Sequence, residues 1–162
     1  MRFAEEKDVP AIRAIAEASW NETYVNIISK EQIAYMLDWM YGEDVLKQYI
    51  HSGEQLFLLK EEAGEVLGFI AYTFHRPAED VCRLHKLYLR PDQKGKGLGK
   101  RLVEEVKLRA SEAGMKEIQL NVNKQNPAFS FYVASGFEVL REEVLDIGNG
   151  FVMDDYVMVY TL

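Results

Sequence analysis

The chain has 162 residues, nearly half of them hydrophobic, and a formal net charge of −7. That length suits one soluble globular domain over residues 1–162 with a full core, and the acidic balance argues against general nucleic-acid binding, which needs a basic face. No apolar run reaches the roughly 20 residues that span a bilayer, and the first residues hold no hydrophobic signal core, so no membrane partner is expected.

Met1 to Ala4 read as a short first strand. Asp8 is placed to cap a helix with Pro10 in its first turn, and Ile12, Ile15, Ala16 and Ser19 mark one face of that helix. Ser29-Lys30-Glu31-Gln32 has the form of a capping box, and Ile33, Met36, Leu37 and Met40 follow at helical spacing. A further helix is expected over Val45 to Ser52. Gln55–Lys60 and Val66–His75 read as strands joined around Ala63-Gly64, and Val81–Leu89 as the next strand. After a glycine-rich turn, Leu98, Leu102, Val106 and Ala110 line one face of a helix that Gly114 stops. Glu117–Val122 is a strand, and Pro127–Ser135 a short helix ended by Gly136. Two last strands, Phe137–Ile147 and Phe151–Tyr160, flank Gly148-Asn149-Gly150, a strong hairpin signal. Such an order implies a mixed α/β fold with a mostly antiparallel sheet, and a parallel pair where a helix bridges Val81–Leu89 and Glu117–Val122.

Cys82 is the only cysteine, which excludes an intrachain disulfide and a cysteine cluster for a metal; no metal is expected. A reducing, cytoplasmic setting fits that usage.

The turn from Arg90 to Arg101 concentrates Lys94, Lys96, Lys100 and Arg101 in an acidic chain. Gly95, Gly97 and Gly99 alternate there, free of Cβ atoms, at the start of a helix whose first amides are unpaired. A helix N-terminus with glycines and cations suits a pyrophosphate. The nucleoside-triphosphate loop ends in Gly-Lys-Ser/Thr, but Arg101 follows Gly99-Lys100, and Lys94 stands where the first glycine belongs. The dinucleotide fingerprint fails too, because Lys100 holds the place of its third glycine.

Lys94-x-x-Gly97-x-Gly99 instead resembles the acetyl-CoA signature of the GCN5-related N-acetyltransferases, Gln/Arg-x-x-Gly-x-Gly/Ala, with Lys94 replacing the usual Gln or Arg. Ala128-Phe129-Ser130-Phe131-Tyr132-Val133-Ala134-Ser135-Gly136-Phe137 resembles the later motif of the same family, Asn-x-x-Ala-x-x-Phe/Leu-Tyr-x-x-x-Gly-Phe. The asparagine is displaced: Asn126 lies two residues before Ala128 and Gln125 holds the usual place. Asn126 is therefore open to two readings, a helix cap and a cofactor contact.

The resemblance implies the acetyltransferase fold, a mostly antiparallel central sheet flanked by helices, with acetyl-CoA as cosubstrate. It implies cofactor contacts from the backbone of Leu87, Tyr88 and Leu89 and from the turn Lys94, Gly95, Lys96, Gly97, Leu98, Gly99 and Lys100. Tyr132 matches the tyrosine that protonates the leaving thiolate. Acetylation of an amine also needs the proton removed from the ammonium. His85, two residues before Leu87, is the first candidate base, His75 a weaker one, and a water chain an alternative.

The acceptor pocket is expected in the N-terminal third, where Trp20, Tyr24 and Trp39 are aromatic and Glu22, Glu31 and Asp38 are acidic. Rings and carboxylates attract cations. Packing of Trp20 and Trp39 between helices is the competing reading. The expected partner is a small cationic amine such as a polyamine, with a peptide or protein amine, or a non-catalytic acyl-CoA sensor, as alternatives. A homodimer is left open.

Overall fold

Alternation of apolar residues in Leu56–Glu62, Glu65–Phe74 and Val81–Leu89 (β2, β3 and β4) builds the centre of the sheet in the computed structural model, which describes residues 1–162. Arg2–Phe3 forms β1, Glu117–Asn123 β5, Glu138–Gly148 β6 and Phe151–Thr161 β7. The spatial order is β1-β2-β3-β4-β5-β7-β6. All neighbours are antiparallel except β4 and β5. The last hairpin closes as expected: Gly148 pairs with Phe151, and Asn149 and Gly150 both take positive φ, at 53° and 77°.

Three helices, α1 (Val9–Tyr24), α2 (Lys30–Tyr41) and α3 (Glu43–Ser52), cover one face of the sheet. The other face carries α4 (Leu98–Glu112) and α5 (Ala128–Ala134). Each face has its own apolar core. Ile12, Trp20 and Leu46 centre the first; Leu102, Val106 and Ile118 centre the second. Fully burying side chains of that size contributes about 1.5–3 kcal/mol each.

Two helix starts differ from expectation. Asp8 precedes α1 but makes no side-chain cap, because Arg2 donates to both of its carboxylate oxygens at 2.8 Å and the Glu5 amide takes one of them as well. At α2, Ser29 Oγ accepts from the Gln32 amide at 3.1 Å, but the Gln32 side chain reaches away to the Val152 carbonyl at 3.0 Å. A tertiary partner displaces the local one in both cases.

β4 decides where a ligand can enter. Ala71 pairs with Lys86 and Tyr72 with Leu84, so His85 is an extra residue in β4. Such a bulge reverses the alternation of faces. Cys82 and Leu84 face the α4/α5 core before it; after it Leu87 and Leu89 do, while Lys86 and Tyr88 turn to the opposite face. Pairing of β4 with β5 covers only Val81–Arg83 against Glu117–Gln119. Beyond that, β4 pairs with β3 alone and β5 with β7 alone, and the two strands part.

Candidate active site

A cleft of about 760 Å³ opens on the α4/α5 face where β4 and β5 separate. A chamber of about 320 Å³ lies against the α1/α2 face. Tyr24, Leu84, His85, Tyr88 and Asn121 line both, so the two spaces meet at the splay.

The cleft gathers most of the residues that the motifs pointed to. Leu87, Tyr88, Leu89, Lys94, Gly95, Gly97, Leu98, Gly99, Lys100, Asn126 and Tyr132 line it; the Lys96 side chain does not. Gly95 and Gly97 have φ of 75° and 77°, a region where a non-glycine residue costs on the order of 1–3 kcal/mol. Gly99 is different. Its φ is not positive, and a Cβ there would sit 3.4 Å from the Phe131 ring, so it lets α4 approach α5.

Backbone amides supply the strongest feature. Those of Gly95, Lys96, Gly97, Leu98, Gly99 and Lys100 donate to no group of the chain; the first helical bond of α4 runs from Arg101 to the Gly97 carbonyl. Six consecutive free amides at a helix N-terminus form a cradle that a pyrophosphate fits. Lys94 reaches across to Glu22 of α1 at 2.7 Å.

Tyr132 is buried and its ring is held edge-on by Phe131 and Phe137, at 5.2 and 5.7 Å between centroids. Its hydroxyl has no partner within the chain, and burial pushes its pKa up, so it stays protonated. Asn126 does cap the helix: its Oδ1 accepts from the Ala128 amide at 2.9 Å. Its Nδ2 donates to the Tyr24 hydroxyl at 2.9 Å while the residue also lines the cleft.

His85 sits at the junction. Thr73 donates its hydroxyl proton to the Glu54 carbonyl at 2.9 Å and must accept from His85 Nε2, also at 2.9 Å. That assignment leaves Nδ1 bare. Burial first, then the charges of Lys86, Arg83 and Arg76, push the imidazole down to about 3. The ring is neutral at physiological pH.

Trp20, Tyr24 and Trp39 all line the chamber. Trp20 stacks on Tyr24 at 4.3 Å and donates Nε1–H to the Tyr88 hydroxyl at 2.9 Å; both are buried core residues as well as wall. Trp39 is half exposed, at the rim. The acidic residues of the N-terminal third do not join them. Glu22 lines the cleft instead, Asp38 lies 3.6 Å from Arg13, and Glu31 is exposed. The chamber's carboxylate is Asp155, from β7, and Arg83, Lys86 and Asn121 add further polar groups. Asp155 alternates with Met153 and Val157 in an apolar strand, an inward acid that strand periodicity alone singles out. Burial is the main cause that raises its pKa; the Asn121 hydrogen bond opposes it.

The acetyltransferase (GNAT) domain family matches residues 24–158. A spermidine N(1)-acetyltransferase of Thermoplasma acidophilum is 31% identical over 150 residues, covering 91% of each chain. An L-methionine sulfoximine/L-methionine sulfone acetyltransferase of Pseudomonas paraeruginosa is 30% identical over 149 residues, covering 86% of this chain and 80% of that one. Among solved structures, the PaiA N-acetyltransferase of T. acidophilum in complex with coenzyme A superposes with a TM-score of 0.84 at 28% identity, over 99% of this chain and 97% of that one. With its splayed parallel pair, amide-rich turn and two anchoring motifs, this chain belongs to the GNAT family and is an acetyl-CoA-dependent N-acetyltransferase.

Proposed function

We propose that one domain over residues 1–162 transfers an acetyl group to a small cationic primary amine of the polyamine class. The observation that carries this reading is the aromatic chamber that opens into the cofactor cleft at His85 and Asn121. The amides of residues 95–100 hold the pyrophosphate of acetyl-CoA, and the open edge of β4 from Leu87 to Leu89 faces the pantetheine arm. Bound acetyl-CoA supplies an activated acyl carbon. Tyr132, protonated and unpartnered, donates a hydrogen bond to the departing sulfur. The bare Nδ1 of His85, with water, passes on the proton of the amine; a nitrogen of such low basicity relays a proton rather than keeping it. Holding both reactants at the splay supplies much of the rate.

A second reading, an α-amino acid acceptor, rests on Arg83, whose guanidinium lines the chamber, donates to Asn121 and has no carboxylate within ion-pair distance. A homodimer is suggested by β6, an edge strand that exposes Val139, Leu140 and Val144; sedimentation of the pure protein checks it. No helix is long and apolar enough to cross a membrane, and buried Cys82 suits a reducing cytoplasm.

The test is an amine panel with acetyl-CoA, following free thiol. Polyamines should exceed neutral amines and amino acids in kcat/KM. A preference for acidic or zwitterionic acceptors would overturn the cationic reading in favour of the Arg83 one.

A further inference from the structure

Asp155 is the least satisfied buried group that faces the chamber. It is 5% exposed, and its Oδ1 has no hydrogen-bond partner. Its Oδ2 receives only a long bond, 3.3 Å, from Asn121 Nδ2, which donates more closely to Glu143 at 2.8 Å. A buried carboxylate oxygen without a donor is unfavourable, and native folds rarely leave one so. The chamber around it is lined by Trp20, Tyr24, Trp39 and Tyr49. Aromatic faces and a bare carboxylate oxygen together recognise an ammonium group.

The charges agree. Arg83 donates to Asn121, and Asn121 donates to Glu143 and Asp155; Glu143 also has Arg141 at 3.7 Å, whereas Asp155 has no cation within ion-pair distance. Lys86 also faces the chamber but is bound elsewhere. Gln55 Oε1 accepts from its Nζ at 2.7 Å, and the rings of Tyr41, Tyr49 and Phe57 surround it at 5.2–5.6 Å. His85 is neutral. Asp155 is thus the carboxylate of the group that lacks an ion-pair partner, and one ammonium supplies it.

Position says which ammonium. Asp155 lines the chamber and not the cofactor cleft, whereas Tyr24, His85 and Asn121 line both. The reacting nitrogen must lie near the shared residues. We propose that Asp155 anchors the second, non-reacting ammonium of a diamine or polyamine acceptor, its Oδ1 accepting the hydrogen bond. This inference rests on the cationic-amine reading and makes Asp155 a specificity-determining residue: it selects acceptors with two amines over those with one.

The experiment is calorimetry on the protein saturated with CoA, which permits binding without turnover. The ligands are 1,3-diaminopropane, 1,4-diaminobutane, spermidine and the monoamine butylamine. In the wild type at least one diamine or spermidine should bind about tenfold or more tightly than butylamine, the worth of a buried charge-assisted hydrogen bond. Asp155→Asn keeps the shape and removes the charge; it should reduce that preference to less than about threefold, with CoA affinity as the check on folding. Retained preference in the variant overturns the proposal. Butylamine binding as tightly as every diamine in the wild type does so too, with no variant needed, and is the result expected of an Asp155 held as a neutral acid. Thiol release separates the two readings. Acetylation of amines without a diamine preference would defeat the role of Asp155 and leave the enzyme reading; diamine preference without acetylation would do the reverse.

Discussion

Lys94 of the glycine turn and Glu22 of α1 form an ion pair of 2.7 Å across the mouth of the cofactor cleft. Both side chains are about half exposed, so the pair contributes little to stability. Its consequence lies in binding. A pyrophosphate at the free amides must compete with Glu22 for Lys94 and meets the Glu22 charge as well. Glu22→Gln should therefore tighten CoA binding about two- to fivefold at low ionic strength, and the gain should fade toward about 1 M salt, where screening acts within about 3 Å. Titration calorimetry at the two salt concentrations checks this; an unchanged affinity at low salt would mean that neither the Glu22 charge nor its hold on Lys94 opposes CoA binding.

The role proposed for Tyr132 rests on a single hydroxyl. Phe131 and Phe137 hold the ring, so Tyr132→Phe should fold normally and bind CoA with unaltered affinity. Its kcat should fall about 10²–10⁴-fold, the usual worth of a general acid. Near-normal turnover, with chemistry shown to be rate-limiting, would reduce Tyr132 to a packing residue.

The pH dependence of the reaction should not follow His85. An imidazole pushed down to about 3 does not titrate in the range where the enzyme is assayed. His85→Ala should lower kcat about 10–10²-fold by removing a neutral proton acceptor, while the acidic limb of the kcat/KM profile stays in place. A limb that moves in the variant would show that His85 is a conventional base with a higher basicity than its burial dictates.

Lys86 makes stability depend on pH. Burial lowers it from the ordinary 10.5 to about 7. Below about pH 7 the folded and unfolded chains both carry the proton, and the cost of burying the charge is complete. Between pH 7 and 10.5 the unfolded chain keeps the proton while the folded chain releases it, so the site's contribution to stability rises with pH through that window. Lys86→Met should stabilise the fold by about 1–3 kcal/mol at pH 6, and the advantage should shrink toward pH 10. Urea denaturation at the two pH values measures it. A variant less stable than the wild type at pH 6 would mean that the three surrounding rings and Gln55 outweigh desolvation.

Much of the site was readable because it is local. The turn from Lys94 to Lys100 joins a strand end to a helix start within a few residues, so glycine spacing alone fixes where free amides cluster. Tyr132 was singled out by its match to the later family motif, which lies within one short helix before Gly136. His85 was placed on β4, and the structure puts it where the cleft and the chamber meet. Its basicity was not readable, because desolvation and the charges of Lys86, Arg83 and Arg76 depend on what surrounds the ring. The bulge was hidden for a like reason: Val81–Leu89 alternates acceptably in either register, and only pairing with β3 reveals the extra residue.

By itself the sequence determined the order of elements, the mostly antiparallel sheet, the hairpin at Asn149-Gly150 and the glycine turn with its free amides, all set by periodicity and turn chemistry over short spans. Strand periodicity marks Asp155 as inward-facing, but only the tertiary structure decided which charges face the chamber. The carboxylate in the chamber comes from Asp155, more than a hundred residues from Trp20 and Tyr24, while the nearer acids are drawn off: Glu22 pairs with Lys94, and Asp38 lies by Arg13. Proximity along the chain predicts local backbone geometry; which charges share a low-dielectric space is set by how β4, β5 and β7 part and pack against α1 and α2.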